Sequence, residues 1–454
     1  MNNKLLKFLF YILLIPFIFI QNSLAVQDVI DPPDDIKNKK LVSGISFDDV
    51  FAKAKDHAYD LKLANLETQI AKTGIMGARS EYFPKLGFMM GTEYTKNYRD
   101  VRDTTVMSIG EAFINPYTRY QSVLGITLSY NVFDFGVRKG NLDRAKEDVT
   151  SKKLKEEKAL QELELTLIDT YTKVLLAKKQ LDLNNQIHAL NQNNLEMFKR
   201  LDKAKQISKT DLNDRTFKLE KSKKTLSELK QMMSESLSWL GFYTGEEYDV
   251  DNLKIKDFPF ESFNPMEVKD YTKTVTWKYY DSEIKKKQLE LKVVKRTNLP
   301  KVSAYSRYYL YGSDFSSYPD VYSDLGPSNF SVGGTLSMPV FDGLKNYSDI
   351  KRTTLELQQV MVERDKAVGE WMTRVGSMRN NLIYLKEQND SAEKMVSELK
   401  DKNNSKKRLK ESKLISAIEV NDAKIELLEA EIEKIKTSVT YDAMIKGIKT
   451  LTEY

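Results

Sequence analysis

The chain has 454 residues, of which 30% are charged, and a formal net charge of +6. It has no cysteine and only two histidines, His57 and His188, which excludes thiol nucleophiles, disulfides and the usual zinc sites. No GxxxxGK[ST] run and no GxSxG elbow occurs, so an enzyme is disfavoured and no cofactor is expected.

Residues 1–25 read as a secretory signal peptide: Lys4 and Lys7 begin it, Phe8 to Ile20 form an apolar core, and Ser23-Leu24-Ala25 offers small residues for cleavage. A core of about 13 residues broken by Pro16 is too short for a membrane span, which needs roughly 20. Losing Lys4 and Lys7 lowers the formal charge from +6 to +4. The remaining Lys and Glu are interleaved, which argues against a nucleic-acid partner. An extended segment, 26–45, follows. No later run is long and apolar enough for a membrane helix, so an exported chain of this kind is either soluble or inserted as a β-barrel.

The rest of the chain is a tandem duplication, the feature that organises everything else. Phe83-Pro84-Lys85 returns as Leu299-Pro300-Lys301, and Val132-Phe133-Asp134 as Val340-Phe341-Asp342. Lys205 to Leu212 (KQISKTDL) returns as Lys413 to Val420 (KLISAIEV). Each copy reads helix, strand, loop, strand, long helix, tip, helix. The boundaries are 46–241 for the first copy, 242–264 for the linker and 265–454 for the second copy.

Alternation marks the strands. Leu86, Phe88, Met90, Thr92 and Tyr94 share one face, opposite Gly87, Met89, Gly91, Glu93 and Thr95. Leu124, Ile126, Leu128 and Tyr130 do the same in the return strand, and Val332, Leu336 and Met338 in the second copy. Runs of about ten residues match the length of a tilted membrane strand. The helices instead carry sevenfold repeats. One is Leu160, Leu167, Val174 and Leu181, with Leu163 and Ala177 between. The others are Leu212, Leu219, Leu226, Met233 and Leu240, and Ile418, Ile425, Ile432 and Val439. This spacing predicts supercoiled helices. Each VFD(F)G, with Asp134 and Gly136 or Asp342 and Gly343, is a strand-to-helix join where glycine supplies backbone freedom. Four strands cannot close a membrane barrel, which starts at about eight, so strands in a membrane require an oligomer.

The ordered set of signal peptide, Pro-Lys strand entries, two joins and two ISxx(D/E)(L/V) tips resembles the TolC family of outer-membrane efflux and secretion channels, from Ile45 to Tyr454. The resemblance implies an α+β membrane channel. In it a homotrimer gives four strands per chain to a twelve-stranded barrel in outer-membrane lipid, continued by a long periplasmic α-helical coiled-coil barrel. It implies a passive exit duct for drugs or for proteins in type I secretion, with a periplasmic adaptor and an inner-membrane transporter as partners.

The adaptor-docking tips would be Lys205, Ile207 and Ser208 in the first copy and Lys413, Ile415 and Ser416 in the second. Thr210 and Asp211 match the family's Thr-Asp gate pair. Lys410 and Ile415 stand where the family has an aromatic residue and an arginine, and Lys205 and Lys413 replace the tip glycines. Glu419 and Asp422 stand where the family has its inner-mouth aspartates and, three apart, share a helix face. They are expected to form a cation-selective constriction, and Asp211 with Lys410 a substitute latch. The alternative is a soluble periplasmic coiled-coil adaptor or scaffold, whose strands would form a small sandwich.

Overall fold

The computed structural model describes residues 41–453 apart from 43, 97–106, 110–111, 115–118, 250–252, 260–263 and 268–269. The predicted signal peptide 1–25 and most of segment 26–45 lie outside the described residues.

The helices, in chain order, are α1 (Phe47–His57), α2 (Tyr59–Ser80), α3 (Val137–Lys203), α4 (Lys209–Thr244), α5 (Val275–Arg296), α6 (Tyr318–Ser323), α7 (Lys345–Glu411) and α8 (Ala417–Glu453). Their lengths repeat with the sequence copies. α2 and α5 both have 22 residues, α3 and α7 both have 67, and α4 and α8 have 36 and 37. Among the described residues no helix is long and apolar enough to cross a membrane.

The strands are β1 (Leu41–Val42), β2 (Gly44–Ile45), β3 (Lys85–Tyr94), β4 (Met107–Ile109), β5 (Ala112–Ile114), β6 (Tyr120–Phe133), β7 (Glu247–Tyr248), β8 (Lys254–Ile255), β9 (Lys301–Asp314) and β10 (Gly326–Ser337). β3, β6, β9 and β10 form one antiparallel sheet in the order β10-β9-β6-β3. β1 pairs with β7 and β2 with β8, both parallel, so the linker between the copies is tied to the start of the described chain. The β4–β5 hairpin sits in the longer strand connection of the first copy.

Register gives the sheet two unlike faces. Leu86, Leu128 and Ser306 are aligned, as are Met90, Leu124 and Leu310, so the alternation predicted along single strands continues across the sheet. Much of this face is bare: Leu86, Phe88, Phe330, Val332 and Leu336 are all exposed, Leu336 at 72%. The opposite face aligns Gly87 with Thr127 and Arg307, and Gly125 with Tyr309. A Cβ on Gly125 would collide with the Tyr309 ring, so glycine is required there for the ring to lie on the sheet.

The described chain divides into two compact units, and each draws on both copies. One contains residues up to 58 with 167–260 and 387–443. Its core is an aromatic cluster of Phe47, Tyr171 and Phe258, with ring centroids 5.3 to 5.6 Å apart. The Tyr171 hydroxyl donates to the Lys256 carbonyl at 2.7 Å, and burial pushes its phenol pKa up. Leu167, Val174 and Ala177 are fully buried, as the sevenfold pattern on α3 predicts.

On α8 the seam differs. Ile418, Ile425 and Ile432 are only half-buried, while Val420, Ala423, Leu427 and Ala430 are buried. A helix with neighbours on two sides carries two apolar stripes, and within one chain only one stripe is covered.

The other unit contains 59–166, 261–386 and 444–454, including the four-stranded sheet. Polar clamps fasten its helices. Glu67 accepts from Lys152 at 2.9 Å and Lys155 at 2.8 Å, Lys287 pairs with Glu356 at 2.7 Å, and the Trp371 indole N–H donates to the Leu451 carbonyl at 2.9 Å.

Candidate functional site

The strand-to-helix joins share a backbone that needs more than one glycine's freedom. Phe135 and Gly136 have φ of 52° and 82°, and Gly343 and Leu344 have 67° and 69°. Each join therefore has two consecutive left-handed residues, with glycine relieving the second in one copy and the first in the other. Asp134 caps α3, accepting from the N–H groups of Gly136 and Arg138, both at 3.1 Å, and from the Arg138 guanidinium at 2.9 Å. Asp342 accepts from the Asn346 N–H at 2.9 Å, and that bond holds its carboxyl below the usual range.

The tips also superimpose in chemistry. Lys205 and Lys413 have φ of 55° and 60°, so lysine occupies the left-handed position that glycine usually fills. The N–H groups of Gln206 and Leu414 reach back five residues to the carbonyls of Leu201 and Leu409, both at 2.9 Å. Those bonds close the ends of α3 and α7 in Schellman turns. Ser208 then caps α4, with its hydroxyl accepting from the Asp211 N–H at 3.1 Å while the Asp211 carboxylate accepts from the Ser208 N–H at 3.2 Å. Ser416 and Glu419 repeat this capping box on α8, with both reciprocal bonds present at 3.3 and 3.2 Å.

These bonds reassign two of the sequence-predicted residues. Glu419 corresponds to Asp211 in the repeat, and both carboxylates are engaged by the serine of their own tip. Asp211 forms no ion pair with Lys410 among the described residues, because its carboxylate is turned into its own helix start. Thr210 and Lys410 are exposed, and Ile207 and Ile415 are half-buried.

Asp422 is the carboxylate that joins the hairpins. It accepts both guanidinium branches of Arg215 on α4, at 2.6 and 2.8 Å, and the amide of Asn194 on α3 at 3.0 Å. The Asn421 side-chain amide donates to the Asn194 side-chain Oδ1 at 2.8 Å, and Arg215 lies over the Phe198 ring at 4.7 Å. Asn194 is fully buried. A forked, charge-assisted pair stacked on an aromatic ring fixes both geometry and partner.

The sequence expectation placed Glu419 and Asp422 together. In the structure Glu419 caps a helix, and Asp422 ties α8 to both helices of the first hairpin. Arg215, Asn194, Phe198 and Asn421 were missed. The available signal was polarity on the α3 seam, where Asn191 and Asn194 interrupt the buried apolar positions.

Residues 50–246 match the profile of the outer membrane efflux protein family, a stretch that overlaps the first copy and the start of the linker. In fold the chain is similar to CusC, with a TM-score of 0.71 at 13% identity, covering 94% of this chain and 98% of that one. It is similar to VceC from Vibrio cholerae, with a TM-score of 0.72 at 10% identity over 89% and 96% of the two chains. It is also similar to the CmeC outer membrane channel of Campylobacter jejuni, with a TM-score of 0.70 at 16% identity over 89% and 85%. Comparison with curated protein sequences gave no significant match. The chain is therefore similar to the outer membrane efflux protein family over 50–246, and its fold is similar to that of these outer-membrane channels along both copies.

Proposed function

We propose that three copies of this chain assemble into one outer-membrane duct, the passive exit of a tripartite export system whose other parts are a periplasmic adaptor and an inner-membrane transporter. The observation that carries the reading is the four-stranded sheet. Its strands are long enough to cross a bilayer, one face is apolar and exposed, and β3 and β10 end it as edges. Joining edge to edge, three such sheets remove every free edge and turn the apolar faces to lipid. Exposed apolar stripes on α2 (Leu63, Leu66, Ile70) and on α7 (Leu355, Val362) supply helical surfaces for the same assembly. A soluble adaptor or scaffold would leave these surfaces in water.

In this reading the mature chain is organised as the copies 46–241 and 265–454 around the linker 242–264, after a signal peptide (1–25) and an extended segment (26–45). The duct serves drug efflux, type I protein secretion or both. The tips built on Lys205, Ile207, Ser208, Lys413, Ile415 and Ser416 are the adaptor-docking surface, and Arg215 with Asp422 holds the inner end closed. While that pair is made, each Asp422 charge is balanced. Opening exposes three carboxylates to the axis and favours cations there.

The test is cell fractionation and mass measurement in mild detergent. A trimer in the outer-membrane fraction is expected, and a monomer recovered from the soluble periplasm would refute the assembly.

A further inference from the structure

The polar face of the sheet has a net positive charge. Its cations are Lys85, Lys301 and Arg307, aligned with Ser129, Ser337 and Thr127, and its only carboxylate among the described residues is Glu93. Three cations against one carboxylate leave an excess of two positive charges per chain. The apolar face carries one charge, Asp314, at the far end of β9.

The cations are set into the wall. The Arg307 guanidinium lies 4.1 Å over the Tyr305 ring, and Tyr305 in turn lies against Gly333, where a Cβ would come within 2.7 Å of its hydroxyl. That glycine lets the ring lie along the sheet and carry the guanidinium flat. Lys85 and Lys301 make no ion pair among the described residues. They line one cavity of about 380 Å³ at the base of the sheet, together with Arg138 and the carboxylates Glu81 and Asp134. Asp134 is already committed to Arg138 at 2.9 Å.

We propose that the lumen of the barrel is an anion-attracting surface that binds anionic solutes. The inference rests on the trimeric-channel reading, which turns this face to the lumen. Basic side chains around a pore favour anions, and a wall of low dielectric concentrates their field.

The experiment uses the purified full-length protein in a planar bilayer, with inorganic pyrophosphate added on the barrel side. Pyrophosphate is expected to block current. The half-blocking concentration should rise about tenfold or more in the Lys301→Gln, Arg307→Gln double variant and fall in Glu93→Gln. Hexaamminecobalt(III), a trivalent cation, should block less well from that side. Equal block by the two ions, or block that moves in neither variant, overturns the proposal. If the double variant does not assemble, Glu93→Gln decides alone, and an unchanged half-blocking concentration then overturns it. Absence of any conducting pore, also in the Arg215→Ala variant that removes the closing pair, instead overturns the channel reading, and the anion proposal with it.

Discussion

The two strand-to-helix joins have the same backbone but differ in what surrounds it. At the first, Asp134 and Arg138 are buried as a pair, with side chains 6% and 11% exposed, and Arg138 also reaches the carbonyl of Val132 at 3.2 Å and the ring of Tyr82. At the second, Asn346 takes the place of Arg138, and Val340, Phe341 and Leu344 are bare, Val340 at 93%. The carboxylate cap is what the turn requires, since both copies keep it. The guanidinium is needed only where the join is enclosed and a second donor must satisfy a buried charge. The open join follows edge strand β10, where the assembly proposed above would cover it.

The sharpest way to break this comparison is to remove the cation from the enclosed join. Arg138→Ala should cost about 3 kcal/mol, because it leaves the Asp134 carboxylate buried with backbone donors alone. Asn346→Ala should cost no more than about 1 kcal/mol, since the Asn346 N–H that caps Asp342 survives the change. Thermal unfolding in detergent measures both, and equal losses would mean that enclosure is not the cause.

The tips allow a second comparison. Asp214 and Asp422 are equivalent in the repeat, but among the described residues only Asp422 of the two pairs with an arginine. Arg215→Ala or Asp422→Ala should weaken closure by about 1–2 kcal/mol per chain, discounted for the partial exposure of Asp422. Resting conductance should rise roughly tenfold per 1.4 kcal/mol. Asp214→Ala should leave it unchanged, and a leak of similar size in that variant would remove the special role of the Arg215 pair. Because Asp211 and Glu419 are engaged in capping boxes, Lys410→Glu should not raise the leak.

Smaller effects should follow at the left-handed lysines. Lys205→Gly and Lys413→Gly should each stabilise their tip by up to about 1 kcal/mol, since glycine adopts positive φ without a Cβ clash. Hydrogen exchange at the tip amides would show this as slower opening, and faster exchange would contradict it.

The smallest effect concerns pH. Glu67, held by Lys155 and Lys152, has its carboxyl lowered from 4.5 to about 2. A depressed carboxyl contributes stability that is fully present above the unfolded value near 4.5 and is lost as pH falls through about 2. Glu67→Gln should flatten the stability profile across that window. A profile as steep as the parent's would assign the acid sensitivity to other carboxylates.

Much of the architecture was legible because it depends on local rules repeated twice. Alternation along β3 and β6 gave the sheet its two faces, and the copy offsets matched α3 with α7 and α4 with α8 as equivalent helices. The α3 seam through Leu167 and Val174 was legible for the same reason. The α8 seam was legible only at the buried Val439, because Ile418, Ile425 and Ile432 compete with Val420 and Leu427 for the covered side of the helix.

The sequence by itself determined the duplication, the strand faces and the need for backbone freedom at the joins. Each of these is a matter of period or of a residue's own backbone preference. Only the tertiary structure decided which carboxylate caps a helix and which joins the hairpins. Glu419 and Asp422 are three residues apart on one helix, and nothing local separates them. Their difference arises because Arg215 and Asn194, more than 200 positions away, come within hydrogen-bonding distance of Asp422 alone.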